Sequence, residues 1–182
     1  MSMIEIILYG RGGQGVVTAG ELLARAAVLD GKFGQSIPFY GGERRGAPVV
    51  SYVRLSDKPI RMHRNVKSPE MVAIFDPSLF NVSNPLSGLK ENGTVVINAP
   101  EKNDKVEKGF YINANKIAED LKLVIAGWPV VNTIMMGAVA KATNIISKDA
   151  LDKAIEETFE GNMVEQNKKG AEYGFNEVVQ IG

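Results

Sequence analysis

The sequence predicts an α/β fold: a Rossmann-like three-layer sandwich with a mostly parallel sheet, helices on both faces and an added β-hairpin. Three observations carry this. The apolar run Ile4 to Leu8 stops at glycines 10, 12, 13 and 15, and a helical pattern follows at Val16, Ala19, Leu22, Leu23, Ala26 and Ala27. That order reads as a buried strand, a glycine turn and a helix packing back on the strand. Further along, unbroken apolar runs alternate with helical stretches, as in a parallel sheet covered on both faces. Finally, no repeat and no linker divides the 182 residues. They read as one domain, 1–182, long enough to bury about two-thirds of the unfolded surface.

Each element follows in order. The first helix ends near Leu29-Asp30-Gly31, with Gly31 suited to the left-handed C′ position. A second strand covers Phe33 to Phe39. Tyr40 to Pro48, with three glycines, a proline and three consecutive charges, is a loop. Val49 to Leu55 is a strand by its β-branched and aromatic content, and Ser56-Asp-Lys-Pro59 turns it into a shorter strand, Ile60 to His63. Met71 to Phe75 is an all-apolar strand. It runs into Asp76-Pro77, an N-cap followed by proline at N1, and a short helix from Ser78 to Phe80. Asp76 stands at a strand's carboxyl end, where open α/β sheets place ligands, but capping is the favoured reading. Thr94 to Asn98 and Phe110 to Asn113 are strands on either side of a charged loop. Lys116 to Leu121, Val131 to Ala142, Lys148 to Phe159 (capped by Ser147) and Asn162 to Tyr173 are helices. Met135 and Met136 read as core filling.

Composition excludes several function classes. Formal net charge is zero, which gives no electrostatic case for nucleic acid or an anionic membrane. No apolar run reaches 18 residues and no basic-then-apolar leader is present, so a cytoplasmic location is expected. There are no cysteines, which excludes a disulfide framework, a thiolate nucleophile and any cysteine-ligated cluster or zinc in this chain. The only histidine, His63, sits between Met62 and Arg64 and reads as solvated. No catalytic residue and no metal site is predicted.

The glycine turn is the candidate binding site: Gly10, Gly12, Gly13, Gln14 and Gly15. Gly10, Gly12 and Gly15 match G-x-G-x-x-G, whose glycines allow positive φ, close backbone approach and tight helix–strand packing. The helix N-terminus behind them offers unpaired N–H groups to an anion. An NAD site would carry an acidic residue at the end of the second strand, and a P-loop would carry Lys and Ser/Thr after its last glycine. The sequence has Ile37-Pro-Phe-Tyr40 and Val16-Val17 there. Three readings stay open: a dinucleotide site, a turn that only permits packing, and a phosphate or anion site for another ligand, completed by a partner chain.

Three stretches together resemble a known family. Gly10-Arg-Gly-Gly-Gln-Gly15 with Val16-Val17-Thr18-Ala19, then Glu43-Arg-Arg-Gly-Ala-Pro48 before a strand, then Asn132-Thr-Ile-Met-Met-Gly-Ala138 look like the gamma subunit of 2-oxoacid:ferredoxin oxidoreductases. Glu165-Gln-Asn167, with Ala171 and Gly174, is similar to that family's last helix. The likeness covers essentially the whole chain and leans toward the pyruvate and ketoisovalerate members. It implies a complex that decarboxylates a 2-oxoacid, passes electrons to ferredoxin and transfers the acyl group to coenzyme A. It implies partners of alpha, beta and delta type, which hold the thiamine diphosphate, Mg and iron–sulfur clusters. This chain would be an inactive module by itself, shaping assembly and the coenzyme A side of the site. Glu43, Arg44, Arg45, Gly46 and Asn132 are then the candidate contacts to a partner or to coenzyme A. Arginine pairs suit bidentate binding of phosphate or carboxylate. Two other classes compete: a free-standing nucleotide-binding oxidoreductase, and a scaffolding protein with an empty glycine loop.

Overall fold

The computed structural model describes residues 2–40 and 46–182. β1 (Ile4–Arg11) lies inside a seven-stranded sheet of order β2-β3-β1-β4-β5-β6-β9. The other strands are β2 (Phe33–Tyr40), β3 (Pro48–Ser56), β4 (Met71–Ile74), β5 (Thr94–Asn98), β6 (Gly109–Ile112) and β9 (Val179–Ile181). β4, β5 and β6 continue parallel to β1, while β3 runs antiparallel between β1 and β2 and β9 antiparallel on the far edge. Apolar runs replace alternation because both faces are buried. Ile6, Leu8, Met71, Ala73 and Val96 face one core cluster; Ile7, Val72, Ile74, Val95 and Ile97 face the other.

The α/β architecture is the one the sequence predicts, with two corrections of layout. First, the helices gather on one face. α1 (Val16–Leu29), α2 (Ala114–Asp120), α3 (Asn132–Thr143), α4 (Lys148–Thr158) and α5 (Asn162–Glu177) contribute to a single core with that side of the sheet. The opposite face is covered by a 3₁₀ turn, Pro77–Asn81, and by long connections through Val66, Leu86, Leu89 and Val106. Stretches such as Asn81-Val-Ser-Asn-Pro-Leu-Ser-Gly88 are too rich in turn residues to continue a helix. Second, the expected hairpin of Val49–Leu55 with Ile60–His63 is absent. Both edges of β3 are already taken, by β1 and β2, so residues 60–63 have no ladder to join. They run beside β2, where Gln35 Nε2 donates to the Met62 carbonyl at 2.6 Å. The added hairpin is β2–β3 instead. Two short elements had no clear signal: β9, and a hairpin of β7 (Val124–Ile125) and β8 (Trp128–Pro129).

Helix ends follow their local chemistry. Ser147 Oγ accepts from the Ala150 amide at 3.1 Å, and Asp30 accepts from both the Ser147 amide and hydroxyl at 2.7 Å, tying the end of α1 to the start of α4. Asn113 caps α2 through the Lys116 amide at 3.2 Å.

α3 is buried all round, from Val131 to Ala140. Its contact with α5 is made backbone to backbone. A Cβ on Gly137 would overlap the Ala171 carbonyl, and a Cβ on Gly174 would overlap the Ile134 carbonyl. Gly174→Ala should therefore force the helices apart and cost about 1–3 kcal/mol or more, as overpacking does. Gly31→Ala, where a Cβ meets nothing within 4 Å, should cost only about 1 kcal/mol of left-handed strain. Equal melting-temperature losses in thermal unfolding would refute close α3–α5 packing.

On the other face the Arg54 guanidinium is 1% exposed. Its Nε donates to Glu5 Oε2 at 2.8 Å and its Nη1 to Gln35 Oε1 at 3.1 Å, linking three strands. Glu5→Ala would leave this cation buried without its counter-charge, a change that costs about 3 kcal/mol. Denaturant melts should show that loss, and should show a smaller one when Arg54→Met accompanies it.

Candidate functional site

β1 continues through Gly10 to Arg11, so Gly10 is a strand residue and not part of the turn. It is glycine for packing: a Cβ there would collide with the Val16 side chain. The turn proper is residues 12 to 15. Gly13 (φ 97°) and Gly15 (φ 81°) hold left-handed conformations, so positive φ falls on these two and not on Gly10 or Gly12. Gln14 braces the turn: it is buried, and its Oε1 accepts from the Arg11 amide at 2.7 Å. Gly15 is the N-cap of α1, with no side-chain cap.

The turn is sewn to the exit of the arginine-bearing loop. The Gly12 amide donates to the Ala47 carbonyl at 2.8 Å, and the Gly46 amide donates to the Gly12 carbonyl at 3.0 Å. Arg11 completes the link. Its Nη1 donates to the Gly46 carbonyl at 3.0 Å, its Nε and Nη2 donate to Ser78 Oγ at 3.1 and 2.9 Å, and its Nε lies 3.3 Å from Asp76 Oδ2. Asp76 Oδ1 in turn accepts from the Ser78 amide and hydroxyl at 2.9 and 2.7 Å. Asp76 is thus the cap the sequence indicates and also the counter-charge of Arg11. The Arg11–Ser78 link had no signal in the sequence. Glu43, Arg44 and Arg45 lie outside the described residues.

Asn132, the first residue of α3, reaches the same turn from the other side. A Cβ on Gly15 would come within 2.7 Å of Asn132 Cγ, so only glycine lets the two helix N-termini approach. Asn132 is 3% exposed. Its Oδ1 accepts from the Thr133 amide at 2.9 Å, which turns its Nδ2 the other way. Like α1, α3 has no side-chain cap. Three stretches far apart in sequence therefore meet at one place.

A cavity of about 790 Å³ opens there, within the range of small-molecule sites. Its polar side is Arg11, Gly12, Gly13, Gly15, Thr18 and Asn132; its apolar walls are Val124, Ile125, Val130, Phe159 and Met163. Lys122 and Asn167 also line it. No carboxylate is among the described lining residues, and two helix N-termini converge on it. The field is positive and the donors are in excess, which suits an anionic group on a ligand with an apolar arm. Among the described residues no cluster of three or more His, Asp or Glu could hold a metal ion. No helix among them is long and apolar enough to cross a membrane. A dinucleotide site has lost its geometry. In a Rossmann unit the second strand lies parallel beside the first, whereas here antiparallel β3 takes that place.

Comparison with known proteins agrees with these stretches. Residues 5–177 match the family of pyruvate ferredoxin/flavodoxin oxidoreductases. The chain is 43% identical, over 97% of its length and 98% of the relative's, to the pyruvate/ketoisovalerate oxidoreductases common subunit gamma of Thermococcus kodakarensis. It is 45% identical, over 98% of each, to pyruvate synthase subunit PorC of Methanocaldococcus jannaschii. The crystal structure of a pyruvate oxidoreductase subunit PORC from Thermotoga maritima superposes with a TM-score of 0.84 at 30% identity, covering 99% of both chains. The chain belongs to the pyruvate ferredoxin/flavodoxin oxidoreductase family and stands among its gamma subunits.

Proposed function

We propose that this subunit forms the coenzyme A side of a pyruvate or related 2-oxoacid oxidoreductase, with the cavity at the glycine turn receiving the anionic part of that acyl acceptor. The observation that carries the reading is the meeting of the glycine turn, braced by Gly46, with Asn132 at a cavity that has donors and no carboxylate among its described lining residues. Backbone amides at two helix N-termini orient an anion without any side-chain titration. The apolar wall from Val124 to Met163 holds an uncharged arm and excludes water. Among the described lining residues there is no proton-transfer pair, and the part assigned to the chain is binding and orientation.

Thiamine diphosphate supplies the electron sink for decarboxylation in such a complex, and iron–sulfur clusters carry electrons to ferredoxin. The residues here do not fit those groups. The sequence has no cysteine for a cluster, and no carboxylate is among the described lining residues to hold Mg. The alpha, beta and delta-type partners are their proper holders, and the assembled enzyme works in the cytoplasm.

Two results are expected. The purified chain alone should show no turnover with 2-oxoacids, coenzyme A and a viologen acceptor, and activity should return on reconstitution with the partners; turnover by the chain alone would sink the subunit reading. The second concerns Arg44→Ala combined with Arg45→Ala. The double change should leave the melting temperature of the isolated chain within a degree or two, because exposed ion pairs contribute about 0–1 kcal/mol. In the complex it should either weaken assembly on gel filtration or raise KM for coenzyme A, since truncating a desolvated charge partner costs about 2–5 kcal/mol. Normal assembly at wild-type KM would make the loop a solvated surface feature.

A further inference from the structure

Lys122 follows α2 in a conformation that lysine seldom adopts. Leu121 closes the helix, the Leu123 amide donates back to the Ala118 carbonyl at 2.7 Å, and the Lys122 amide donates to the Glu119 carbonyl at 3.1 Å. This closing pattern places residue 122 in the left-handed region, at φ 58°, where glycine or asparagine is usual. The chain obeys that preference at its other comparable helix ends, with Gly31 (φ 84°) after α1 and Asn144 (φ 55°) after α3. Lysine at 122 is strained, and a glycine there would relieve the strain.

Nothing in the helix end calls for a lysine. Its side chain is exposed, and it makes no hydrogen bond or ion pair among the described residues. It lines the same cavity as the glycine turn, beside Leu123 and Val124. Donors stand elsewhere in the lining as well. Asn132 is more than nine-tenths buried, with Oδ1 taken by the Thr133 amide, and its Nδ2 donates to nothing among the described residues. Both helix N-termini lack side-chain caps. Arg11, the remaining cation of the lining, is already neutralised by Asp76. Lys122 is therefore the cation in this cavity with no counter-charge among the described residues, held at a conformational cost.

We propose that Lys122 grips a phosphoryl group of the ligand in this cavity, acting as a flexible point charge that supplements the fixed amides of α1 and α3. This rests on the reading of the cavity as the coenzyme A site and adds to it a residue that sets affinity for the charged end. A flexible ammonium suits the role, because phosphate accepts from any direction and lysine follows it without a fixed fork.

The test uses the reconstituted complex with coenzyme A as the probe, in three variants. Lys122→Gly should melt at or above the wild-type temperature, because the strain is relieved, while KM for coenzyme A rises about tenfold at low salt. The rise of KM with added KCl should also flatten in this variant, since one screened charge pair has gone. Lys122→Arg, which keeps the charge, should stay within about threefold of wild type. Asn132→Leu separates the two levels. If Asn132→Leu raises KM and Lys122→Gly does not, the cavity reading stands and the lysine proposal is overturned. If neither changes KM, the cavity is not the coenzyme A site and both fall. A Lys122→Gly protein whose melting temperature falls together with its affinity would make the lysine merely structural, and would also overturn the proposal.

Discussion

The structure depends on the placement of α3. This helix is buried on every side from Asn132 to Ala140 and lies between the sheet and α5, and non-directional burial alone would let it slide or rotate. Gly137 and Gly174 remove that freedom. Each lets a backbone carbonyl of the partner helix sit where a Cβ would be, and such contacts are short-range and register-specific. With α3 held there, its first residue, Asn132, arrives against Gly15, and the N-terminus of α3 converges with that of α1. Small residues in the core thus decide where the donors of the cavity stand.

The other side of the turn is held by charge and hydrogen bonding. Arg11 leaves the end of β1 and joins Ser78, Asp76 and the Gly46 carbonyl. An arginine so near the glycine turn resembles a ligand contact, but its guanidinium is already engaged on both edges. Its work is to fix the glycine turn against the 3₁₀ turn and the exit of the arginine loop. A planar fork with several donors suits that task, since one side chain must serve three segments.

The polar side of the cavity is held by the contacts of Arg11, Gly15 and Asn132, while part of its apolar wall comes from a short hairpin. Val124, Ile125 and Trp128 belong to a two-stranded hairpin outside the main sheet. Ile125 is 56% and Trp128 42% exposed. A hairpin of this length has little stability by itself, and apolar residues displayed at the rim of a site mark a contact surface.

By itself the sequence determined the α/β class, the strand–turn–helix at residues 4–27, most helix positions and the family, because these rest on local periodicity, capping residues and motif order. Ser147, Asp76 and Gly31 were legible for the same reason: a cap or a helix stop is chemistry among near neighbours. Only the tertiary structure decided how strands pair and which stretches meet. Residues 60–63 have strand-like composition, yet β3 had no free edge to offer them. Gly10, Gly12, Gly13 and Gly15 look alike in sequence, but Gly10 is needed for packing against Val16 and Gly15 for the approach of Asn132, 117 residues later. Lys122 carries no sequence signal at all, since neither its left-handed backbone nor the cavity it lines is a local property. Such features arise from contacts between distant segments, which the spacing of residues along the chain does not encode.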